Sequence, residues 1–216
     1  MVSQENGPPS AAGSTNLDKP DRIIALSDGV FAIAITLLVL ELVPRIGPAV
    51  TGSQLQRELL DLAPHLVAYF LSFLVIGRFW DTHRVFFRYI NLADPQVVWF
   101  NLLVLLWITL IPATAALLGS HWQEPIALAL YALNLLLGVL SYWLLWHHVS
   151  TAGILRWEEL HAMTGQYLDR FVAVSSIGFG LAIVTAFLNA PLSLTLVFLA
   201  TTLAKTVARR RILGRR

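Results

Sequence analysis

The sequence predicts an all-α integral membrane protein with six transmembrane helices and both termini in the cytoplasm. Three observations predict it. Of 216 residues, 56% are hydrophobic and 13% are charged, where a soluble domain carries roughly 25% charged residues. Mean hydropathy is +0.68. The few charges separate apolar stretches long enough to cross a ~30 Å hydrocarbon core, about 20 residues each. There is no cysteine, so disulfides and thiolate chemistry are excluded.

The opening segment, "MVSQENGPPSAAGSTNLDKP", is polar and rich in Gly, Pro and Ser. It lacks the basic and apolar regions of a signal peptide. Residues 1–20 are expected to form a disordered cytoplasmic tail, 21–208 a six-helix transmembrane domain and 209–216 a basic cytoplasmic tail. The first span is expected at Ile23–Val43 and the second at Ala63–Trp80. An amphipathic stretch, "SQLQRELLDL", precedes the second. It suits the membrane interface or an extension of that helix.

No charge occurs between Asp94 and Glu124, nor between Glu124 and Arg156. This gives a third span near Gln96–Leu118 and a fourth near Pro125–His148. The apolar stretch Phe171–Ala204 is too long for one span. "NAP" at 189–191 divides it into Asp169–Leu188 and Pro191–Ala208. "DP" at 94–95 and "EP" at 124–125 also put proline in a first helical turn, where its missing N–H costs nothing. Asp94 is a good N-cap.

Six helices put both termini on one side, and the basic residues choose that side. Thirteen of the fifteen Lys and Arg fall on it; Arg45 and Arg57 are the others. Positive residues favour the cytoplasm. Trp122, Tyr142, Trp143, Trp146 and Trp157 stand near expected helix ends, as an aromatic belt would. The basic end, "KTVARRRILGRR", follows an apolar helix. It is therefore expected to contact anionic lipid headgroups rather than nucleic acid.

The first span, "RIIALSDGVFAIAITLLVLEL", is polar at both ends. Ile33, Leu37 and Leu40 share one helical face, Gly29 extends it and Thr36 lies beside it. Periodicity alone cannot select that face, because nearly every position here is apolar. "SDG" could be an N-cap. A helix from Gly29 to Val43 would then reach only about 22 Å. Starting at Arg22 gives a full span and puts Asp28 inside the helix. A buried carboxylate there needs a partner. Arg22 does not share its face, so the partner is expected from another helix. Trp80, His83 and Asn101 lie at the same end of the second and third spans and can meet Ser27 and Asp28 at one depth.

These residues carry a resemblance. The stretch resembles the first-helix signature of the transmembrane protein 175 family, the lysosomal and prokaryotic potassium channels. The match falls on Arg22, Ser27, Asp28 and Gly29, with Leu26 where the family usually has Phe. Trp80, His83 and Asn101 match the residues that accompany the signature. The resemblance implies a homotetramer of six-helix units, with helix one lining a central pore. It implies an apolar constriction at Ile33, with Leu37 and Leu40 as further rings and Thr36 as a pore-lining hydroxyl. Arg22, Ser27, Asp28, Trp80, His83 and Asn101 would form a polar network holding helix one against helices two and three.

The implied function is a potassium-permeable channel of the plasma membrane of a prokaryote, with potassium ions as the permeant partner and no cofactor. The sequence contains no "TVGYG", so the carbonyl filter of ordinary potassium channels is not expected. An enzyme is not expected: "HExxH", "GxSxG" and a P-loop are all missing. "HH" at 147–148 with "EELH" at 158–161 fits no familiar metal spacing, so no metal is expected. A proton-permeable or proton-coupled transporter using Asp28, Glu41 and His83 is the main alternative, and a non-transporting structural protein the next.

Overall fold

The computed structural model describes residues 19–40, 42, 52–154 and 162–213. Seven helices occur among them. They are α1 (Asp21–Leu40), α2 (Ser53–Asp61), α3 (Ala63–Phe87), α4 (Pro95–Ser120), α5 (Pro125–Thr151), α6 (Ala162–Ala186) and α7 (Ala190–Leu213). Among the described residues, five helices are long and apolar enough to cross a membrane: α1, α3, α4, α5 and Asp169–Ala186 of α6. The apolar part of α7, Ala190–Leu203, is shorter. This is the stretch where a sixth span is expected. The amphipathic "SQLQRELLDL" forms the separate α2, with Leu55, Leu59 and Leu60 exposed.

The helix starts follow local chemistry. Asp94 accepts a hydrogen bond from the Val97 amide at 2.8 Å and caps α4 one residue before Pro95. Asn189 accepts from the Leu192 amide at 2.9 Å at the start of α7. Glu124 precedes Pro125 but makes no side-chain cap. α3 runs on to Phe87, past the expected end at Trp80, so His83 belongs to the helix. α7 runs on to Leu213, past the expected Ala208. Residues 1–18, 41, 43–51, 155–161 and 214–216 lie outside the described residues.

α5 forms the centre of the bundle and α1 its edge. In their most apolar windows, 56% of α5 is buried but only 22% of α1. α5 packs on α4, α6 and α7, whereas α1 touches α3 and α4. Side-chain hydrogen bonds cross the interfaces: Ser72 with Tyr131, Asn134 to Thr114, and Ser193 to the Ala182 carbonyl. In lipid such bonds contribute modestly, on average about 0.6 kcal/mol each. Their larger effect is to leave few buried polar groups unmatched.

Two residues expected in an aromatic belt are packed inside instead. Tyr142 donates to the Phe79 carbonyl at 3.0 Å, and Trp146 donates to Asp169 at 3.0 Å. Both side chains point into the bundle, where neighbouring helices offer acceptors and burial that the membrane interface does not. Trp122 and Trp143 are exposed. Trp157 lies outside the described residues.

Candidate functional site

α1 has two faces. Ser27, Phe31, Ala34 and Leu38 follow one another at helical spacing and are buried. On the other side Ile33, Leu37 and Leu40 are 59%, 41% and 58% exposed. Thr36 is exposed beside them, and its hydroxyl donates to the Ile33 carbonyl at 2.9 Å. Gly29, one turn before Ile33, is equally open: a Cβ there would meet nothing within 4 Å.

A directed chain of hydrogen bonds crosses from α3 through α4 to the buried face of α1. His83 Nε2 lies 2.9 Å from Asn101 Oδ1. An amide oxygen only accepts, so His83 carries its proton on Nε2. Asn101 Nδ2 then donates to Ser27 Oγ at 3.1 Å, and Ser27 donates to the Ile23 carbonyl at 2.7 Å. All three side chains are buried. Aromatic rings enclose the histidine. Phe87 stacks on it at 4.3 Å, and Phe31 and Tyr142 meet it edge-on at 5.5 and 6.2 Å.

Asp28 stands outside this chain. It is exposed, and its partner is the Trp80 indole, which donates to Oδ1 at 2.9 Å. Expecting a buried carboxylate was therefore wrong for the single chain; Ser27 is the buried member of the pair. Neighbouring positions on a helix are about 100° apart, so the two side chains cannot share one environment. Arg84 continues the surface arrangement, lying over the Trp80 ring at 5.4 Å and pairing with Asp81 at 3.1 Å.

Arg22 does not join the other five residues. It is exposed and makes no hydrogen bond or ion pair among the described residues. It lies instead along a groove between the starts of α1 and α4. One turn and a half of helix separates it from Ser27 and Asp28 and turns it to another side.

Sequence reasoning missed Phe31 and Tyr142. Phe31 lies four residues after Ser27, so the spacing of the polar face could have found it. Tyr142 could not be found this way, because its acceptor is a backbone carbonyl on another helix. Among the described residues, no group of His, Asp and Glu could hold a metal ion. His147 stacks on Trp143, and His148 pairs with Asp94 at 2.8 Å.

The chain is similar to known proteins. A protein named a potassium channel from Streptomyces collinus is 35% identical over 184 residues, covering 82% of this chain and 87% of its own length. The chain belongs to the TMEM175 family. The family's sequence model, described as endosomal/lysosomal potassium channel TMEM175, matches residues 22–112. That segment holds α1, α3, much of α4 and every residue of the polar arrangement. A crystal structure of a TMEM175 homologue from Chamaesiphon minutus, described as a lysosomal potassium-selective channel homologue, superposes with a TM-score of 0.70 at 26% identity. It covers 88% of this chain and 97% of that one. A chicken protein named an endosomal/lysosomal proton channel TMEM175 is 37% identical over 111 residues, but the match spans only 22% of it. The TMEM175 family is one of ion channels and not of enzymes, and this member is an integral membrane protein.

Proposed function

We propose that the chain is one subunit of a homotetrameric, potassium-permeable channel whose central pore is lined by the open face of α1. One observation carries the reading. The chain buries one side of α1 and leaves Ile33, Leu37, Leu40 and Thr36 without a covering element. A single helix cannot enclose a path, so a pore on this face requires several copies. The relatives named potassium channels supply the ion, and the homologous channel structure supports the fold.

In this reading α1, α3, α4, α5, α6 and α7 span the membrane as six helices, with both termini cytoplasmic in a prokaryotic plasma membrane. The basic end of α7 meets anionic headgroups. Ile33 forms the narrowest ring, followed by Leu37 and Leu40. Apolar rings close a pore by dewetting, without steric contact. An ion passing them sheds water, which costs sodium more than potassium, so potassium is favoured modestly. The Thr36 hydroxyl, already bonded to its own helix, offers oxygen lone pairs near the constriction. Ser27, Asn101 and His83 hold α1 at a fixed angle from behind, and Trp80 with Asp28 fixes its flank.

Proton permeation is a second reading, favoured by the names of the vertebrate relatives. The His83 chain does not serve it well. The chain ends on a backbone carbonyl, and an amide side chain between His83 and Ser27 does not readily relay protons. Protons would have to use the pore itself.

Purified protein in liposomes, with potassium, sodium or pH gradients imposed in turn, tests these readings. Potassium flux above protein-free liposomes is expected, with smaller sodium flux. No flux under any gradient removes the channel reading. Ile33→Asn should wet the constriction, raise flux and reduce discrimination between the two cations. An unchanged current would move the constriction elsewhere.

A further inference from the structure

The groove beside Arg22 has a chemistry that the pore does not use. It holds about 760 Å³ and lies between the starts of α1 and α4. Lys19, Asp21, Arg22 and Asp94 rim it, and Val98, Trp99 and Leu102 are among its apolar walls. The charges are not equivalent. Asp94 has both oxygens engaged, one by the Val97 amide and one by His148. Lys19 and Arg22 make no hydrogen bond or ion pair among the described residues. Two uncommitted cations thus face one uncommitted carboxylate, Asp21.

The apolar wall continues along α4. Val98, Trp99, Leu102, Leu106 and Leu110 are all exposed, and most of them recur at four-residue spacing. From Val98 to Leu110 the helix rises about 18 Å. One leaflet of a ~30 Å core is about 15 Å deep. Trp99 stands at the charged end of the track, the level at which tryptophan meets headgroups.

We propose that this groove binds an anionic glycerophospholipid of the cytoplasmic leaflet. Its phosphate rests between Lys19 and Arg22, and one acyl chain lies along Trp99, Leu102, Leu106 and Leu110. The position in the cytoplasmic leaflet rests on the orientation given under the proposed function. The cations select the headgroup charge, and the α4 track holds the chain whatever the headgroup. Lys and Arg suit this place because their apolar stems lie along the groove while their charges reach the phosphates.

Native mass spectrometry of the full chain in detergent, with added phosphatidylglycerol or phosphatidylcholine, tests this. The readout is bound lipid and needs no ion flux, so a failed flux assay leaves it intact. Phosphatidylglycerol should be retained in preference to phosphatidylcholine. Lys19→Gln and Arg22→Gln should each weaken phosphatidylglycerol retention by about fivefold, the scale of one basic residue at an anionic surface. They should weaken phosphatidylcholine retention less, because its choline offsets the charge of its phosphate. Trp99→Ala should weaken both lipids. The basic C-terminal end is common to every variant, so it does not enter the differences. Equal retention of the two lipids, or a preference that survives the Lys19→Gln/Arg22→Gln double variant, overturns the proposal. So does a Trp99→Ala protein that keeps its lipid but changes oligomeric mass, because a second copy would then cover the groove.

Discussion

The buried and open faces of α1 are built from the same kinds of residue and differ in what covers them. On one side Phe31, Ala34 and Leu38 join the core with side chains of α3 and α4, and Ser27 completes a buried hydrogen-bond chain. On the other, Ile33, Leu37 and Leu40 are as apolar but remain exposed. A lipid would accept either face. What separates them is the polar punctuation: Ser27 commits its side to protein, because its hydroxyl and Asn101 would be unmatched in hydrocarbon. The apolar side opposite carries no such commitment and is free to serve a pore.

The largest expected effect lies on the covered face. Phe31→Ala removes a buried ring from the core and from the edge of His83, and should cost about 3–5 kcal/mol. Ile33→Ala, on the open face, should change the stability of the single chain by well under 1 kcal/mol, the usual range at surfaces. Unfolding in detergent, followed by size-exclusion fluorescence, compares them. Similar losses from both would mean that the open face is covered in the assembled protein as tightly as the buried one.

Glycines give a second comparison. A Cβ at Gly178 in α6 would overlap the Ala200 side chain of α7, whereas Gly29 has open space. Gly178→Ala should cost about 1–3 kcal/mol through overpacking and lower the melting temperature. Gly29→Ala should leave the fold intact and instead change oligomeric mass or flux. A folded, fully active Gly29→Ala protein would show that this turn of α1 does not meet another copy closely.

A smaller effect is expected at the flank. Asp28→Asn removes the charge but keeps an oxygen for the Trp80 indole, so the loss should be about 1 kcal/mol. Asp28→Ala removes the acceptor and should lower the yield of tetramer in mild detergent. A stable tetramer from Asp28→Ala would reduce Asp28 to a surface contact.

The smallest effect is a pH dependence at the start of α4. Burial tends to raise the Asp94 pKa, but the Val97 amide and His148 outweigh it and hold the carboxyl below its ordinary 3.8. A depressed carboxyl pKa adds stability above the ordinary value and loses it as pH falls through the folded one. Asn also caps helices well, so Asp94→Asn isolates the charge. The difference in melting temperature between the two proteins should be present at pH 6 and shrink towards pH 3. A difference that grows towards acid would reverse the assignment.

Several parts of the site are legible in the sequence. Ser27, His83 and Asn101 stand out because polar side chains in apolar spans are few, and helix order puts them at one end. Asp94 was legible as a cap from its place before Pro95. Within the single chain Arg22 lies apart from the network that the resemblance implies, and Asp28 is exposed. The signature and the helix length set the level of these two residues; the rotation of each side chain about its helix decides the contact. Tyr142 fits a belt by its position alone, because its acceptor, the Phe79 carbonyl, has no sequence signature.

The sequence by itself determined the class, the helix starts marked by proline and the level of the polar residues. Hydrophobic length, proline position and scarce charge act locally, and no packing is needed to read them. The tertiary structure alone decided which face of α1 is covered and which stays open. Ile33 and Phe31 are both apolar, so their environments differ only through the neighbours that folding brings to them.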